Sequence, residues 1–258
     1  MERMVFKPHS RHIEYPEIRI VSLGSPFAWL RAGLRDLRKT WPISLAYGAV
    51  FAGLGYLLVA YAWSWVHLAL ALTSGFLLVA PFLALGFYDL SRQADQGVGP
   101  SLRHSLTAWC ANAGSIGLFA ALLVILVIAW ERLSAILVAL FLIGDVATVD
   151  TLAGAMAAAR EHVPFLAAYA VFGALLAAVV FALSVVSLPM LLDRKVDVAT
   201  AVMTSLWTVR ENPLVMLLWA AIIAALIAIG YLTWFVGLVF LFPLLGHATW
   251  RAYRELVV

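Results

Sequence analysis

The fold of this chain is decided by an uncharged run that reads TWPISLAYGAVFAGLGYLLVAYAWSWVHLALALTSGFLLVAPFLALGFY over residues 40–88. As a single helix this run would be about 73 Å long at 1.5 Å per residue, more than twice the ~30 Å hydrocarbon core of a bilayer. We therefore expect it to fold back once. The turn is predicted at Trp63–His67, because tryptophan is enriched where a membrane meets water.

The composition of the 258-residue chain agrees with a membrane protein. Hydrophobic residues make up 64% and charged residues 12%, whereas soluble domains carry about 25% charged residues. These figures exclude a soluble globular enzyme, a disordered chain and a conventional nucleic-acid-binding protein. The single cysteine, Cys110, also excludes an intrachain disulfide and a paired-cysteine zinc or redox site.

Three further uncharged runs complete the predicted fold class, which is all-α and polytopic with six transmembrane helices in three parallel hairpins. The last run, Asn212–Trp250, would measure about 58 Å as a helix and therefore crosses twice, with a turn near Gly230–Tyr231. The predicted spans are 43–62, 68–88, 114–130, 163–190, 213–229 and 234–250. They form one membrane domain over 25–258, preceded by a cytoplasmic segment over 1–24.

Positive charge predicts how the chain is oriented in the membrane. Fifteen of the 17 Lys and Arg residues fall in the N-terminal segment, in the loops after the second and fourth spans, and in the C-terminal tail. Arg132 and Arg160 fall on the opposite side. Because short cytoplasmic loops are enriched in Lys and Arg, we expect both termini in the cytoplasm. No cleavable signal peptide is expected, since the first 42 residues are polar and basic.

Each odd-numbered span is preceded by a segment with the periodicity of an amphipathic helix. In the first segment, apolar side chains recur every three or four residues, at Phe27, Leu30, Leu34, Leu37 and Trp41. Such a helix lies in the membrane interface, and surface helices are predicted over 26–40, 101–112 and 198–210. The cations between these apolar positions are expected to contact anionic lipid headgroups; they are Arg31, Arg35, Arg38 and Lys39.

The order of surface helix, span, external turn and second span occurs three times, which predicts an internal repeat of parallel units. The second span of each unit carries a proline near its cytoplasmic end, at Pro81, Pro189 and Pro243. Proline removes a backbone hydrogen bond and kinks a helix, so we expect these three helices to bend. The alternative is that any six-span protein with in-plane loops would show a similar pattern.

Two of these proline-containing ends resemble a known family. The stretch Phe242–Arg254 reads FPLLGHATWRAYR, and the stretch Pro81–Arg92 reads PFLALGFYDLSR. Both are similar to the signature of a bacterial family of predicted integral membrane proteins, catalogued as a domain of unknown function with the number 2189. The resemblance covers roughly residues 20–256 and includes the segment around Trp29. It implies a six-span bacterial cytoplasmic (inner) membrane protein and no established activity.

Charged and polar residues near these prolines are candidates for an interaction site or a gate; they are Asp89, Arg92, Asp193, Arg194, His247 and Arg251. The two Asp–Arg pairs would meet across repeats as a cytoplasmic ring, which either locks the bundle or gates it. His247 and Arg251 lie one helical turn apart and share a face. They would contact a headgroup, an anion or a partner, or else form an interfacial anchor in which the histidine bonds to a carbonyl.

The third span is followed by an insertion over 133–162 that is expected on the external side. It begins with the run Leu133–Gly144, which is too short to cross a bilayer and is either an extension of the third helix or a re-entrant dip. Two carboxylates five residues apart without a histidine are a weak cation signal, so no metal and no cofactor is expected. The charged residues of this region are Glu131, Arg132, Asp145 and Asp150.

No motif of a nucleophilic hydrolase, a zinc protease or a nucleotide-binding loop occurs in the chain. No charged residue lies deep in a predicted span, where transport and proton relays usually need one. We therefore expect a non-enzymatic accessory, scaffold or assembly protein that acts through anionic lipids or a protein partner, in a membrane complex or as a homo-oligomer. The alternative is a transporter or channel for a small uncharged or lipidic solute. A nucleic-acid partner is not expected.

Overall fold

The computed structural model describes residues 5–6, 16–62, 84–141 and 163–258, which are mostly helical. The elements in chain order are β1 Val5–Phe6, β2 Ile18–Arg19, α1 Ser25–Lys39, α2 Trp41–Ala62, α3 over 84–95, α4 Leu102–Thr107, a 3₁₀ turn Ala108–Asn112, α5 Ala113–Phe141, α6 Val163–Ser184, α7 Ser187–Asp193, α8 Val198–Glu211, α9 Pro213–Leu232 and α10 Leu238–Leu256. The two strands pair antiparallel, and Ile18 also pairs with Val257.

Four helical stretches in the described ranges are long and apolar enough to cross a membrane. The predicted span 68–88 lies largely outside the described residues, and the predicted span 234–250 is not one of the four. The fold is therefore all-α with several candidate transmembrane helices, and six spans in three hairpins stay a prediction. The four stretches are Trp41–Leu58, Leu102–Phe141, Val163–Asp193 and Pro213–Leu232.

The helices α1 and α2 both pack against α10, one after the other along its length. Only Thr40 separates them in sequence, and its backbone N–H still bonds to carbonyls of α1. Two glycines allow the close approach. A Cβ on Gly33 would lie 2.7 Å from the backbone nitrogen of Ala248, and one on Gly48 would lie within van der Waals distance of the Val239 carbonyl oxygen. Larger residues at either position would force the helices apart.

The buried face of α1 includes only part of the apolar stripe from which the interfacial helix is predicted. Trp29, Gly33 and Leu37 are buried, whereas Phe27 and Trp41 are more than half exposed. The reason is that Gly33 lets the two helix backbones approach more closely than a face of leucines would. The edge of α1 that contains Gly33 therefore faces α10, and part of the apolar stripe stays on the outer side.

The main apolar core is formed by buried side chains of α1, α3, α5 and α7 to α10. Trp29 and Trp219 make an edge-to-face contact with ring centroids 5.6 Å apart. Trp250 and Tyr253 of α10 are buried in the same cluster. Each of these rings removes roughly 150–250 Å² from solvent, so the C-terminal half of α10 is the centre of this layer.

Asn212 is the single residue between α8 and α9, and it holds the N-terminal segment in place. Its side-chain oxygen accepts from the backbone N–H of Val21 at 2.9 Å, and its side-chain nitrogen donates to the Arg19 carbonyl at 3.1 Å. Pro213 opens α9, where a missing N–H is tolerated. The junction of α8 with α9 therefore has the same one-residue form as the junction of α1 with α2, while the internal repeat itself stays a prediction.

The predicted span 163–190 is divided into α6 and α7. Pro189 has no N–H to donate to a preceding carbonyl. Just before it, the series of helical backbone hydrogen bonds is interrupted, and the hydroxyl of Ser205 inserts there. This hydroxyl accepts from the backbone N–H of Val186 at 3.3 Å and donates to the Ala182 carbonyl at 2.7 Å. The bend expected at this proline is therefore a break, which a side chain of α8 bridges.

Helix α5 continues past Trp130, where the sequence predicts the end of the third span. The predicted insertion over 133–162 therefore begins as a helical extension, and 142–162 lie outside the described residues. The extension packs against α6, since Ser134 donates a hydrogen bond of 3.1 Å to the Tyr169 hydroxyl. This contact explains why the helix does not end at the charged pair that follows Trp130.

The turn between α9 and α10 lies at Thr233–Gly237, not at the predicted Gly230–Tyr231. Trp234 and Phe235 adopt positive φ angles of 51° and 66° there, which non-glycine residues rarely do. Helix α10 then continues through Pro243. Helix α10 therefore begins and ends later than the predicted sixth span, and its C-terminal half packs against α1.

We predict that Gly33→Ala destabilises the protein by about 1–3 kcal/mol, because the added methyl group is forced against the backbone of Ala248. The measurement is denaturant unfolding of the full chain in detergent micelles. Gly53→Ala is the matched control, since a Cβ at Gly53 meets nothing within 4 Å among the described residues. Alanine there should leave stability unchanged or raise it by up to about 1 kcal/mol. Equal effects of the two substitutions would contradict the close approach of α1 to α10.

Candidate functional site

A fully buried histidine, His247 of α10, lies beside the Thr40 junction of α1 and α2. Its Nε2 is 2.9 Å from Ser44 Oγ, and its Nδ1 is 2.7 Å from Ser91 Oγ. Ser91 donates its only hydroxyl hydrogen to Asp36 at 3.0 Å. Ser91 can therefore only accept from the ring, which assigns a proton to Nδ1. Nε2 lies within hydrogen-bond distance of both Ser44 and Thr40. The partners of the histidine are hydroxyl groups instead of the predicted carbonyl.

Asp36 and Arg251 form the charged part of the same group of residues. The guanidinium donates from Nε and Nη2 to the two oxygens of Asp36 at 2.6 and 2.8 Å, and from Nη1 to Asp95 at 2.6 Å. Burial by itself lowers the pKa of Arg251, but the hydrogen bonds and charges of Asp36 and then Asp95 outweigh it and raise that pKa above its ordinary value. The guanidinium therefore stays charged, as its bidentate pairing with the Asp36 carboxylate requires.

We call this group the α1–α10 polar cluster and define it as Asp36, Ser44, Ser91, His247 and Arg251. It joins four helices, because its members come from α1, α2, α3 and α10. Its hydrogen bonds run without interruption from the Ser44 hydroxyl through the histidine and Ser91 to the buried carboxylate. A buried polar group is stable in a protein interior when its hydrogen bonds are made in this way.

Asp89 is the centre of a second cluster, and its side chain is fully buried. It accepts from Arg92, Gln93 and His104, each at 2.6 Å. Arg92 also donates to the backbone carbonyl of Leu192 at 2.9 Å. The predicted Asp89–Arg92 pair therefore forms within α3, and its further contacts hold α3 to α4 and α7.

Asp193 and Arg194 form a third cluster with the end of α10. The Tyr253 hydroxyl donates to Asp193 at 2.8 Å and accepts from Arg194 Nε at 3.1 Å. Burial and then the charge of Asp193 raise the pKa of Tyr253 above its ordinary value, so this hydroxyl keeps its proton. Arg254 lies 3.3 Å from the same carboxylate, and Arg194 reaches the Val258 carbonyl at 3.2 Å.

The two Asp–Arg pairs, which the sequence predicts as one ring, lie in two separate clusters, and His247 and Arg251 lie in a third. The structure brings Asp89 together with Arg92 and Asp193 together with Arg194, but a backbone carbonyl, that of Leu192, is what links the two groups. His247 is linked to Arg251 through hydrogen bonds by way of Ser91 and Asp36. Interlocking hydrogen bonds of this kind favour a structural lock over a moving gate.

The four cations of the basic face, defined as Arg31, Arg35, Arg38 and Lys39, have the opposite environment. All four residues are exposed. Within residues 5–6, 16–62, 84–141 and 163–258, none of their side chains forms a hydrogen bond or an ion pair. They share α1 and its junction with the exposed rings of Phe27 and Trp41. Cations beside exposed apolar groups are typical of a helix at a membrane surface.

Sequence reasoning missed Asp36, Asp95 and His104, which complete these clusters. A signal existed for the first of them, because Asp36 is the single acidic residue in a helix that reads SPFAWLRAGLRDLRK. It also follows Trp29 and Gly33 at helical spacing and so shares their buried face. For the other two no comparable signal exists, because their partners lie on other elements of the fold.

The candidates on the predicted external side are only partly described. Glu131 is half-buried and Arg132 is exposed, both on α5, whereas Asp145 and Asp150 lie outside the described residues. In the part of the chain that the structure describes, no group of three or more His, Cys, Asp or Glu side chains could hold a metal ion. An external interaction surface in this region stays a prediction.

Comparison with known proteins finds a similarity to one family over the middle of the chain. The family model described as a predicted integral membrane protein, DUF2189, matches residues 68–193. Over these residues, just under half of the chain, the protein is similar to this family. The DUF2189 match ends with α7 and does not reach Phe242–Arg254, one of the two stretches that carry the resemblance in sequence. The family's description names an integral membrane protein and no activity. No curated protein and no solved structure matches the chain.

We predict that Asp36→Asn lowers the free energy of unfolding by about 2–4 kcal/mol, because it leaves the guanidinium of Arg251 without a buried counter-charge. Asp95→Asn is the control, since its side chain is 30% exposed and exposed ion pairs contribute at most about 1 kcal/mol. Both variants remove one carboxylate from the same arginine. If urea unfolding gives similar losses for the two, the α1–α10 polar cluster does not hold these helices together.

Proposed function

We propose that this protein is a non-enzymatic accessory, scaffold or assembly factor of the bacterial cytoplasmic membrane. It acts through contacts with anionic lipids or a partner protein and not through chemistry on a substrate. The DUF2189 match and the four apolar helices support an integral membrane location. The excess of Lys and Arg near the termini supports a cytoplasmic position for both.

The observation that carries this proposal is the division of the cations into two classes. Arg92, Arg194 and Arg251 are engaged in hydrogen bonds inside the protein. The cations of the basic face are exposed and have no partner in the described residues. Charges that the fold does not use are available to a surface outside the protein, and an anionic leaflet contributes about 1 kcal/mol per nearby Lys or Arg.

We predict that Arg31→Gln, Arg35→Gln, Arg38→Gln and Lys39→Gln together reduce the anionic lipid that the protein retains. Native mass spectrometry of the full chain extracted in a mild detergent counts bound phosphatidylglycerol against phosphatidylcholine. The wild type should retain the anionic lipid preferentially, and the quadruple variant should lose most of this preference while melting at the same temperature.

The matched control for this experiment is the triple variant Arg103→Gln, Lys195→Gln and Arg210→Gln. These cations are also exposed but lie on other elements. The control should lose less phosphatidylglycerol than the quadruple variant, because its three cations are spread over separate elements and do not form one face. An equal loss in both variants would show that net charge alone decides retention, and no loss in either would remove the basis of the proposal.

A second candidate function is movement of a small uncharged or lipidic solute, which an apolar cleft between α5 and α6 favours. The cleft has a volume of about 370 Å³, and its lining includes Leu126, Trp130, Gly173 and Phe181. Gly173 leaves space beneath the Trp130 ring, since a Cβ there would lie 3.3 Å from its edge. An acyl chain matches such a lining because every side chain in it is apolar.

We predict that Gly173→Leu abolishes any transbilayer movement of a fluorescent phosphatidylcholine that the wild type supports in proteoliposomes, because the leucine fills the cleft. Gly117→Leu is the control on α5, since a Cβ at that position meets nothing within 4 Å among the described residues. Vesicles with wild-type protein that move the lipid no faster than protein-free vesicles would reject this second function.

A further inference from the structure

A polar cavity of about 260 Å³ opens beside the basic face, where α1, the end of α3 and α10 come together. Its volume is several times the ~30 Å³ that one water molecule occupies in the liquid, so a small polar ligand fits inside. The lining residues are Ala32, Arg35, Asp36, Lys39, Asp95 and Arg251.

The charges of this cavity select an anion. Asp36 and Asp95 are both engaged by Arg251, and they also accept hydrogen bonds from Ser91 and from the Trp250 ring nitrogen. The lining has three cationic side chains against these two carboxylates, so its formal net charge is positive. The side chains of the two lining cations on α1, Arg35 and Lys39, have no hydrogen-bond partner among the described residues.

We propose that this cavity binds a phosphate monoester group, with Arg35 and Lys39 as its main ligands. A phosphate monoester carries about −1.5 to −2 charges at pH 7 and three acceptor oxygens. It matches a lining whose formal net charge is positive and whose two α1 cations are not engaged by other described residues. The guanidinium of Arg35 can bind two of these oxygens at once, while the ammonium of Lys39 acts as a point charge. Arg251 has five N–H donors, and its bonds to the two aspartates use three of them.

This site deepens the proposed function and rests on it, because it assigns two of the four cations of the basic face to a discrete pocket. Arg31 and Arg38 belong to the same face but do not line the cavity. They provide a matched control with the same helix, the same number of charges and similar exposure. A pocket requires Arg35 and Lys39 specifically, whereas a diffuse basic surface would bind equally well through either pair of cations.

The test measures the melting temperature of the full chain in phosphatidylcholine nanodiscs during titration with inorganic phosphate, against sodium chloride of equal ionic strength. A ligand that binds only the folded state raises the melting temperature by an amount that grows with the logarithm of its concentration above the Kd. We expect wild type and the Arg31→Gln, Arg38→Gln variant to respond alike. The Arg35→Gln, Lys39→Gln variant should need at least ten times more phosphate for the same shift.

A second arm identifies the source of the phosphate group. Nanodiscs that contain phosphatidic acid, a lipid with a phosphate monoester headgroup, are compared with nanodiscs of phosphatidylcholine alone. A shift with dissolved phosphate indicates a water-soluble ligand, and a shift only with phosphatidic acid indicates a lipid headgroup. The charge-preserving variant Arg35→Lys, Lys39→Arg should keep the response and shows that the exposed positions tolerate substitution.

Equal losses in the two double variants would overturn the pocket while leaving a diffuse basic surface, and with it the proposed function, intact. No shift of the wild type with either phosphate source would also overturn the pocket. Loss of phosphatidylglycerol preference is measured separately with the quadruple variant, so a failure of the proposed function appears in that experiment and not in this one.

Discussion

The close approach of α1 and α2 to one helix, α10, is the constraint on which the rest of the structure depends. Gly33 and Gly48 bring the helix backbones close enough for short side chains to meet across them. Ser44, Ser91 and His247 can then exchange hydrogen bonds in a space that excludes water. If the helices stood farther apart, water would compete for these hydroxyl groups and the polar cluster would lose most of its contribution to stability.

The same approach explains how the protein tolerates buried charge. Removing an aspartate and an arginine from water is unfavourable by several kcal/mol for each ion, which only a well-formed pair with further hydrogen bonds offsets. Asp36 and Arg251 meet both conditions, since the carboxylate accepts from two guanidinium nitrogens and from Ser91. The pair therefore fixes the register of α1 on α10. That register in turn exposes the opposite side of α1, which carries the basic face.

This division between internal and external charge gives the proposals their physical basis. A cation that is satisfied inside the fold cannot attract a ligand without breaking a bond, whereas an unpaired exposed cation loses little by binding one. The cavity beside Arg35 and Lys39 lies where the two classes meet, because Arg251 contributes to the polar cluster and to the cavity wall. The buried pair therefore holds that wall in place for a ligand bound by the exposed pair.

The sequence by itself determined the class of protein, the presence of long apolar helices and the spacing that puts His247 and Arg251 on one face. These follow from composition and from the 3.6-residue period, which act locally along the chain. Only the tertiary structure decided that Asp36 is the partner of Arg251, that Ser205 bridges the break before Pro189, and that α5 continues beyond Trp130. Each of these depends on which helices approach each other. That choice is set by the space that a glycine leaves open and by the hydrogen bonds a distant hydroxyl can supply, neither of which has a periodic signature.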